Sequence, residues 1–320
     1  MSRDLKVHII FAAVILAGLF WIWLNYWRSY PMTEKDFETR TWCVGRYLVD
    51  MPVEFEMTFT NSGIGNTTSV EVFPLGQGTE EDLQRIVRER AAALKTGEVR
   101  EGGFNRRLVY ERQANEIHII AHEVYFPGDP DFKDGLYDAE GYFMRDGHLF
   151  RVDTSVLPKR ESSDLSDLLQ VAAATYPRAN DEIPDGEGFC VDGAFVKLPI
   201  VDELVRVSFK DPNAPNYFGL SLSLGDKRSA SRIHKVNNWG TLGRSRQVAG
   251  QKGVEMRIIS KGDQSVRFKY SGGENAKVGD PYRSIGATLF KNSQPVDAPP
   301  YGVDEMHAVW NLMLNSVRRR

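Results

Sequence analysis

The stretch Cys43–Pro52, CVGRYLVDMP, decides how the chain divides, because a close copy, CVDGAFVKLP, returns 147 residues later at Cys190–Pro199. Cys, two Val and Pro recur at the same four offsets, with a large apolar residue, Leu48 or Phe195, between them. A strand-rich segment with one helix inside it and one at its end follows each copy. The phrase therefore reads as the entry strand of a domain present twice.

Beyond the first copy, strand-like runs cover Val53–Thr60 and Thr67–Phe73, separated by the turn-prone NSGIGN. A helix follows over Thr79–Lys95, with Thr79 as N-cap, Leu83, Ile86, Val87, Ala91 and Leu94 on one face, and Gly97 placed to end it. Four more strands are predicted around Arg107–Arg112, Ile117–Phe126, Leu136–Arg145 and His148–Val156, then a helix over Ser163–Tyr176 that stops at Pro177.

The second copy leads into strands at Leu204–Phe209 and Tyr217–Leu224 and a short helix between Lys227 and Val236. Strands at Gly253–Ser260, Gln264–Tyr270 and Ile285–Phe290 come next, and a helix over Asp304–Val317 closes the chain. Strands in runs, with helices between and after them, predict an α+β fold of two similar domains, each a mainly antiparallel sheet with helices packed on it. The expected domains are 41–180 and 188–320, with the boundary in the polar, turn-rich stretch Arg178–Gly188.

Residues 1–30 form a different region, and 31–40 read as a linker. Val7–Leu24 carries no formal charge at neutral pH and, as a helix, spans about 27 Å, the thickness of a bilayer's hydrocarbon. Trp21, Trp23, Tyr26 and Trp27 gather at one end, where aromatic rings favour the membrane interface. The NYWRSYP that follows lacks the small residues of a signal-peptide cleavage site, so an uncleaved transmembrane anchor is expected. Arg3 and Lys6 precede this helix and Arg28, Lys35 and Arg40 follow it, so charge alone does not set its orientation.

The formal charge of −3 excludes the broad basic field of a nucleic-acid binder. Neither a G-x-S-x-G elbow nor a phosphate-binding glycine motif occurs. His118 and His122 would share one face of a helix as a metal pair, but EIHIIAHEVYF reads as a strand. There the two sit about 13 Å apart, on a polar face, and no metal is expected. Cys43 and Cys190 are too few for a zinc cluster, and neither has a basic partner close in sequence for catalysis. A disulfide between them is possible outside the cytoplasm. Two buried thiols are the preferred reading, since a repeat separates equivalent residues unless they lie near its axis.

Two segments suggest partner contacts. In PGDPDFKDGLYDAE, Pro127–Glu140, the bland reading is a solvated hairpin loop. The sharper one has Phe132 and Tyr137 as anchors and Asp129, Asp131, Asp134 and Asp138 steering toward a basic surface. Gly272–Ser284 offers Tyr282 and Arg283, residue types favoured at binding hot spots.

The opening CVGRYLVDMP and the Gly188–Gly193 start of the second half, GFCVDG, resemble the Tle4-cognate immunity proteins, Tli4, of bacterial type VI secretion systems. The resemblance runs from about Arg40 to Val317. It implies two α+β domains arranged as a clamp, with no catalytic residues, cofactor or small-molecule substrate. It also implies a periplasmic, one-to-one inhibitor of a phospholipase effector, gripping that enzyme's lid or cap region. The N-terminal helix would then hold the chain in the inner membrane by a single pass. The alternatives are an envelope scaffold, or a membrane-anchored hydrolase working through His118 and His122.

Overall fold

The computed structural model describes residues 14–21, 37–65, 68–99, 105–125, 137–199, 202–212, 218–226, 244–260, 265–272, 283–291 and 303–320. The first half comprises β1 (Thr39–Val44), β2 (Tyr47–Pro52), β3 (Glu56–Gly65), β4 (Val70–Gln77), α1 (Glu80–Thr96), β5 (Glu98–Val99), β6 (Asn105–Ala114), β7 (Ile117–Tyr125), β8 (Tyr137–Arg145), β9 (His148–Val156), α2 (Glu161–Ala174) and β10 (Thr175–Pro177). The second comprises β11 (Phe189–Val191), β12 (Ala194–Val196), β13 (Asp202–Lys210), β14 (Phe218–Asp226), β15 (Arg244–Val248), β16 (Gln251–Ser260), β17 (Ser265–Gly272), β18 (Arg283–Lys291), α3 (Val303–Ser316) and β19 (Arg318–Arg319).

Each copy of the repeated phrase folds into a hairpin, not the single entry strand expected. In β1–β2, Cys43 faces Leu48, and in β11–β12, Cys190 faces Phe195 in the same register. The chain reverses through two residues each time, Gly45–Arg46 and Asp192–Gly193. The matching Val, Leu and Phe positions are the apolar sides of these ribbons. Gly45 has φ +58°, and a Cβ there would lie 2.8 Å from a methyl of Val205, so no larger residue fits without a shift.

Thirteen of the described strands form one sheet, in the order β15-β16-β17-β18-β14-β13-β3-β4-β9-β8-β7-β6-β5. Outward from its centre the two sides match strand for strand: β3 with β13, β4 with β14, β9 with β18, β8 with β17, β7 with β16 and β6 with β15. The halves meet where β3 and β13 pair antiparallel, from Asp202 beside Gly65 to Lys210 beside Glu56. That pairing is why β3 continues through Asn61–Gly65, where the sequence suggests a turn.

The ends of the halves are exchanged. The strand β10, which closes the first half, pairs with the hairpin opening the second, and β19, which closes the chain, pairs with β2. Arg178 N–H donates to Gly193 O at 3.1 Å and Arg320 N–H to Arg46 O at 2.9 Å, so the residue after each closing strand binds the other half's turn. The short strand β10 also takes the last two residues expected of α2, Thr175 and Tyr176. Burial between the sheet, α2, α3 and the hairpins forms the main core, including Phe55, Phe150, Val152, Leu168, Phe209, Trp310 and Met313.

On the sheet's other face, α1 begins with a capping box. Thr79 Oγ1 accepts from Asp82 N–H, and the Asp82 carboxylate accepts from Thr79 N–H. Its buried stripe, Leu83, Val87, Ala91 and Leu94, packs on Ile120, Tyr142 and Leu149.

Of the expected anchor, residues 14–21 are described, and they are helical and exposed. Among the described residues no helix is long and apolar enough to cross a membrane. The helix expected between Lys227 and Val236 lies outside the described residues.

Candidate functional site

Period-two alternation sorts the side chains of β4, β9, β8 and β7 between two faces. Val70, Val72, Phe150, Val152, Ala139, Phe143, Ile119 and Ala121 enter the main core. Ser69, Glu71, Arg151, Asp153, Ser155, Asp138, Glu140 and His122 lie on the opposite face. Beside α1 they line a half-open cleft of about 570 Å³, to which Arg90 and Arg106 also contribute.

At the floor of the cleft is Glu140, which is buried. Arg90, reaching down from α1, donates through Nε to Oε2 at 2.8 Å and through Nη2 to Oε1 at 2.7 Å. Tyr142 Oη donates to Oε2 at 2.7 Å, and His122 Nε2 lies 3.0 Å from Oε1. Burial alone would raise the Glu140 carboxyl, but the hydrogen bonds from His122, Arg90 and Tyr142 outweigh it and hold the group well below the usual carboxylate range. Burial, with the Glu140 charge close by, raises the Tyr142 phenol. A carboxylate so fully engaged is held in its charged form.

Register places Glu71, Asp153 and Glu140 directly beside one another on adjacent strands. Like charges in that arrangement repel. Asp153 shares an ion pair with Arg151, Nε to Oδ1 at 2.9 Å, and Glu71 accepts from Asn61 Nδ2 at 3.2 Å. Burial, with Glu140 and Glu71 adding to it against the pull of Arg151, pushes the Asp153 carboxyl up to about 7.

The residues singled out in the sequence fare unevenly. Asp138, the steering residue nearest the strand, lines this cleft and accepts from Ser155 Oγ at 2.8 Å. Tyr137, expected as an exposed anchor, is buried instead, its ring edge-on to Tyr110 at 6.0 Å, because it begins β8 on the core side. Asp129, Asp131, Phe132, Asp134 and Tyr282 lie outside the described residues. Arg283 opens β18, its backbone paired with Asp226. His118 and His122 do share a face, but they have separate partners: His118 Nε2 lies 3.1 Å from Gln84 Nε2 on α1, and His122 meets Glu140. Among the described residues no group of three or more His, Cys, Asp or Glu is placed to hold a metal ion.

The thiols are the clearest correction. Cys43 and Cys190 form a disulfide with Cα atoms 5.9 Å apart, where two buried thiols were preferred. Equivalent residues of a repeat can meet on its axis, and the hairpins do so: Gly45 N–H donates to Cys190 O at 3.0 Å and Cys190 N–H to Gly45 O at 2.9 Å. The guanidinium of Arg320 lies 3.4 and 3.5 Å from the two sulfurs and over the Phe195 ring. Beside this junction, Arg46 forms a buried two-point ion pair with Glu203 on β13, Nε to Oε2 at 2.8 Å and Nη2 to Oε1 at 2.5 Å.

Glu71, Arg90, Glu140, Arg151 and Asp153 were not foreseen as a group. Alternation in the two strand sequences puts 138, 140 and 142 on one face and 151, 153 and 155 on another. That these are the same face, under α1, depends on pairing between strands.

The site is a polar cleft in an α+β protein whose one large sheet has two matching halves. Residues 40–178 match the Tle cognate immunity protein 4 N-terminal domain. The chain's fold is similar to that of the immunity protein TplEi of the type VI secretion system from Pseudomonas aeruginosa in its apo form, with a TM-score of 0.63 at 18% identity over 91% of this chain and 99% of that one. It is also similar to a chain of the Tle4-Tli4 complex, with a TM-score of 0.64 at 18% identity over 88% and 97% of the respective chains. No curated protein matches the chain in sequence.

Proposed function

We propose that this protein is an immunity protein that binds a phospholipase effector of a type VI secretion system, one to one, and inhibits it without chemistry of its own. The observation that carries this reading is the family match over residues 40–178, and the fold it shares along most of its length with a chain of the Tle4-Tli4 complex agrees with it. The locked Glu140 suits a surface that recognises rather than reacts.

The inhibitor works in the periplasm, gripping the effector's lid or cap region and held to the inner membrane by its N-terminal helix. The disulfide supports an oxidising compartment, where such bonds persist. The exposed helical turns at 14–21 and the uncharged run around them support the anchor. The halves, 41–180 and 188–320, act as the two arms of the grip.

The test is to mix the purified full-length chain with the lipase encoded beside it. A stable one-to-one complex with loss of lipase activity is expected. An active lipase and no complex at micromolar concentrations would refute the reading.

A further inference from the structure

The residues that follow the two closing strands, Arg178 and Arg320, hold matching places, yet their side chains end differently. Arg178 spends its guanidinium on backbone carbonyls: Nε donates to Ala194 O at 3.4 Å, Nη1 to Asn180 O at 3.2 Å and Glu182 O at 2.7 Å, and Nη2 to Val191 O at 3.1 Å. Arg320 donates to one carbonyl, Gly186 O, through Nη2, and turns Nη1 to Cys43 Sγ at 3.4 Å and Cys190 Sγ at 3.5 Å. Exchange of the closing strands needs no such contact with sulfur, since Arg178 does without one.

The cation at the sulfurs is poorly answered. Among the described residues no carboxylate lies within hydrogen-bond distance of Arg320. Burial, and then the nearby Arg46 charge, lower its guanidinium from the ordinary value, with Asp185 opposing, although a guanidinium remains charged throughout the physiological range. A disulfide sulfur is uncharged and a weak acceptor, whereas a thiolate in the same place is an anion that a neighbouring arginine stabilises. The charge at the junction is thus matched to the reduced pair better than to the oxidised one.

The cover on this side is also light. Both sulfurs are fully buried, but Arg320, which touches both, is partly exposed, and Gly186 belongs to the exposed loop Asp185–Glu187. One flexible side chain therefore stands between the sulfurs and solvent.

We propose that the Cys43–Cys190 bond is a site of thiol–disulfide exchange, opened by a dithiol reductant, with Arg320 stabilising the sulfur that leaves. A thiolate of the dithiol attacks one sulfur past the Arg320 side chain. A mixed disulfide forms, the Cys43–Cys190 bond breaks, and the other sulfur keeps the electron pair as a thiolate beside the guanidinium. The second thiol of the dithiol then displaces the first cysteine, so the dithiol ends as its own disulfide. Its two electrons pass to the cysteine pair together with its protons, one of which goes to solvent while the sulfur beside Arg320 stays ionised. The charged groups around Arg320 are Arg46, itself paired with Glu203, then Arg178 and Asp185. Reduction unstaples the two hairpins while β3 and β13 still join the halves.

The test compares the full-length parent with Arg320→Gln, which keeps an amide donor and removes the charge, and Arg320→Lys, which keeps the charge. Each is equilibrated with mixtures of reduced and oxidised dithiothreitol at pH 8.5 and pH 6, and free thiols are counted after alkylation. At pH 8.5 the Gln variant should need an about five- to tenfold higher ratio of reduced to oxidised reagent for half reduction, and the Lys variant less than about threefold. At pH 6, where ordinary thiols are protonated, the difference should fall below about twofold, as a loss of packing alone would not. In the reduced proteins, the rate of iodoacetamide alkylation should reach its half-point at least about one pH unit lower in the parent than in the Gln variant. An unchanged ratio in the Gln variant, a shift of the same size at both pH values, or a parent that is reduced only as its near-UV circular dichroism is lost overturns the inference.

Discussion

Cys43 and Cys190 hold the same place in two hairpins 147 residues apart, and the bond between them closes the junction where the halves meet. Both are fully buried. A disulfide closing so long a loop restrains the unfolded chain, and removing one costs about 2–5 kcal/mol. Denaturant unfolding of Cys43→Ser/Cys190→Ser should show a loss of that size, and a loss below about 1 kcal/mol would mean that the exchanged strands suffice without the staple.

Arg46 and Glu203 tie the first hairpin to β13 in a buried pair. Removing one partner strands a charge away from water, so Arg46→Ala or Glu203→Ala should each cost about 3–5 kcal/mol. The apolar double replacement Arg46→Met/Glu203→Leu should cost less than either single change, as read from a double-mutant cycle. A cost for the double equal to the sum of the singles would contradict this.

Glu140→Gln removes the charge that Arg90 and His122 answer, and should destabilise by about 2–4 kcal/mol at pH 7. Because the native carboxyl titrates below its unfolded range, its contribution is present in full above pH of about 5 and is lost as pH falls. The stability gap between wild type and variant should accordingly narrow in acid. A gap independent of pH between 7 and 3 would rule out the ionised carboxylate as its source.

For Asp153 the sign is opposite. Its native carboxyl, pushed up to about 7, holds a proton that the unfolded chain releases, so its charging lowers stability as pH rises from about 4 to 7. Asp153→Asn should match wild type near pH 4 and exceed it at pH 8 by roughly 1–3 kcal/mol, allowing for solvent screening at a half-buried group. Thermal melts across that range test the crossover, and a variant less stable than wild type at pH 8 would exclude it.

Much of the fold could be read along the chain wherever one face of an element is apolar. The α1 helix starts at its Thr79 cap and ends at Gly97, and β6 to β9 fall within a few residues of the apolar alternation that marks them. The repeated phrase was legible as a structural signature, although its two-residue turn was not, since Gly45–Arg46 carries little turn signal before the hairpin closes around it. The cleft was legible only as scattered polar positions. Asp138 and Glu140 belonged to a segment suspected of binding, while Asp153 looked like an ordinary outward residue of an amphipathic strand.

By itself the sequence determined most element types and the return of the Cys43–Pro52 phrase at Cys190–Pro199, because periodicity, caps and repeated phrases are local and survive reading in one dimension. Only the tertiary structure decided that the halves share one sheet, that their closing strands are exchanged, that Cys43 meets Cys190, and that three carboxylates line up across β4, β9 and β8. Those facts depend on strand register and on closeness to the repeat's axis. Both are set by which distant backbone groups find one another as the core closes.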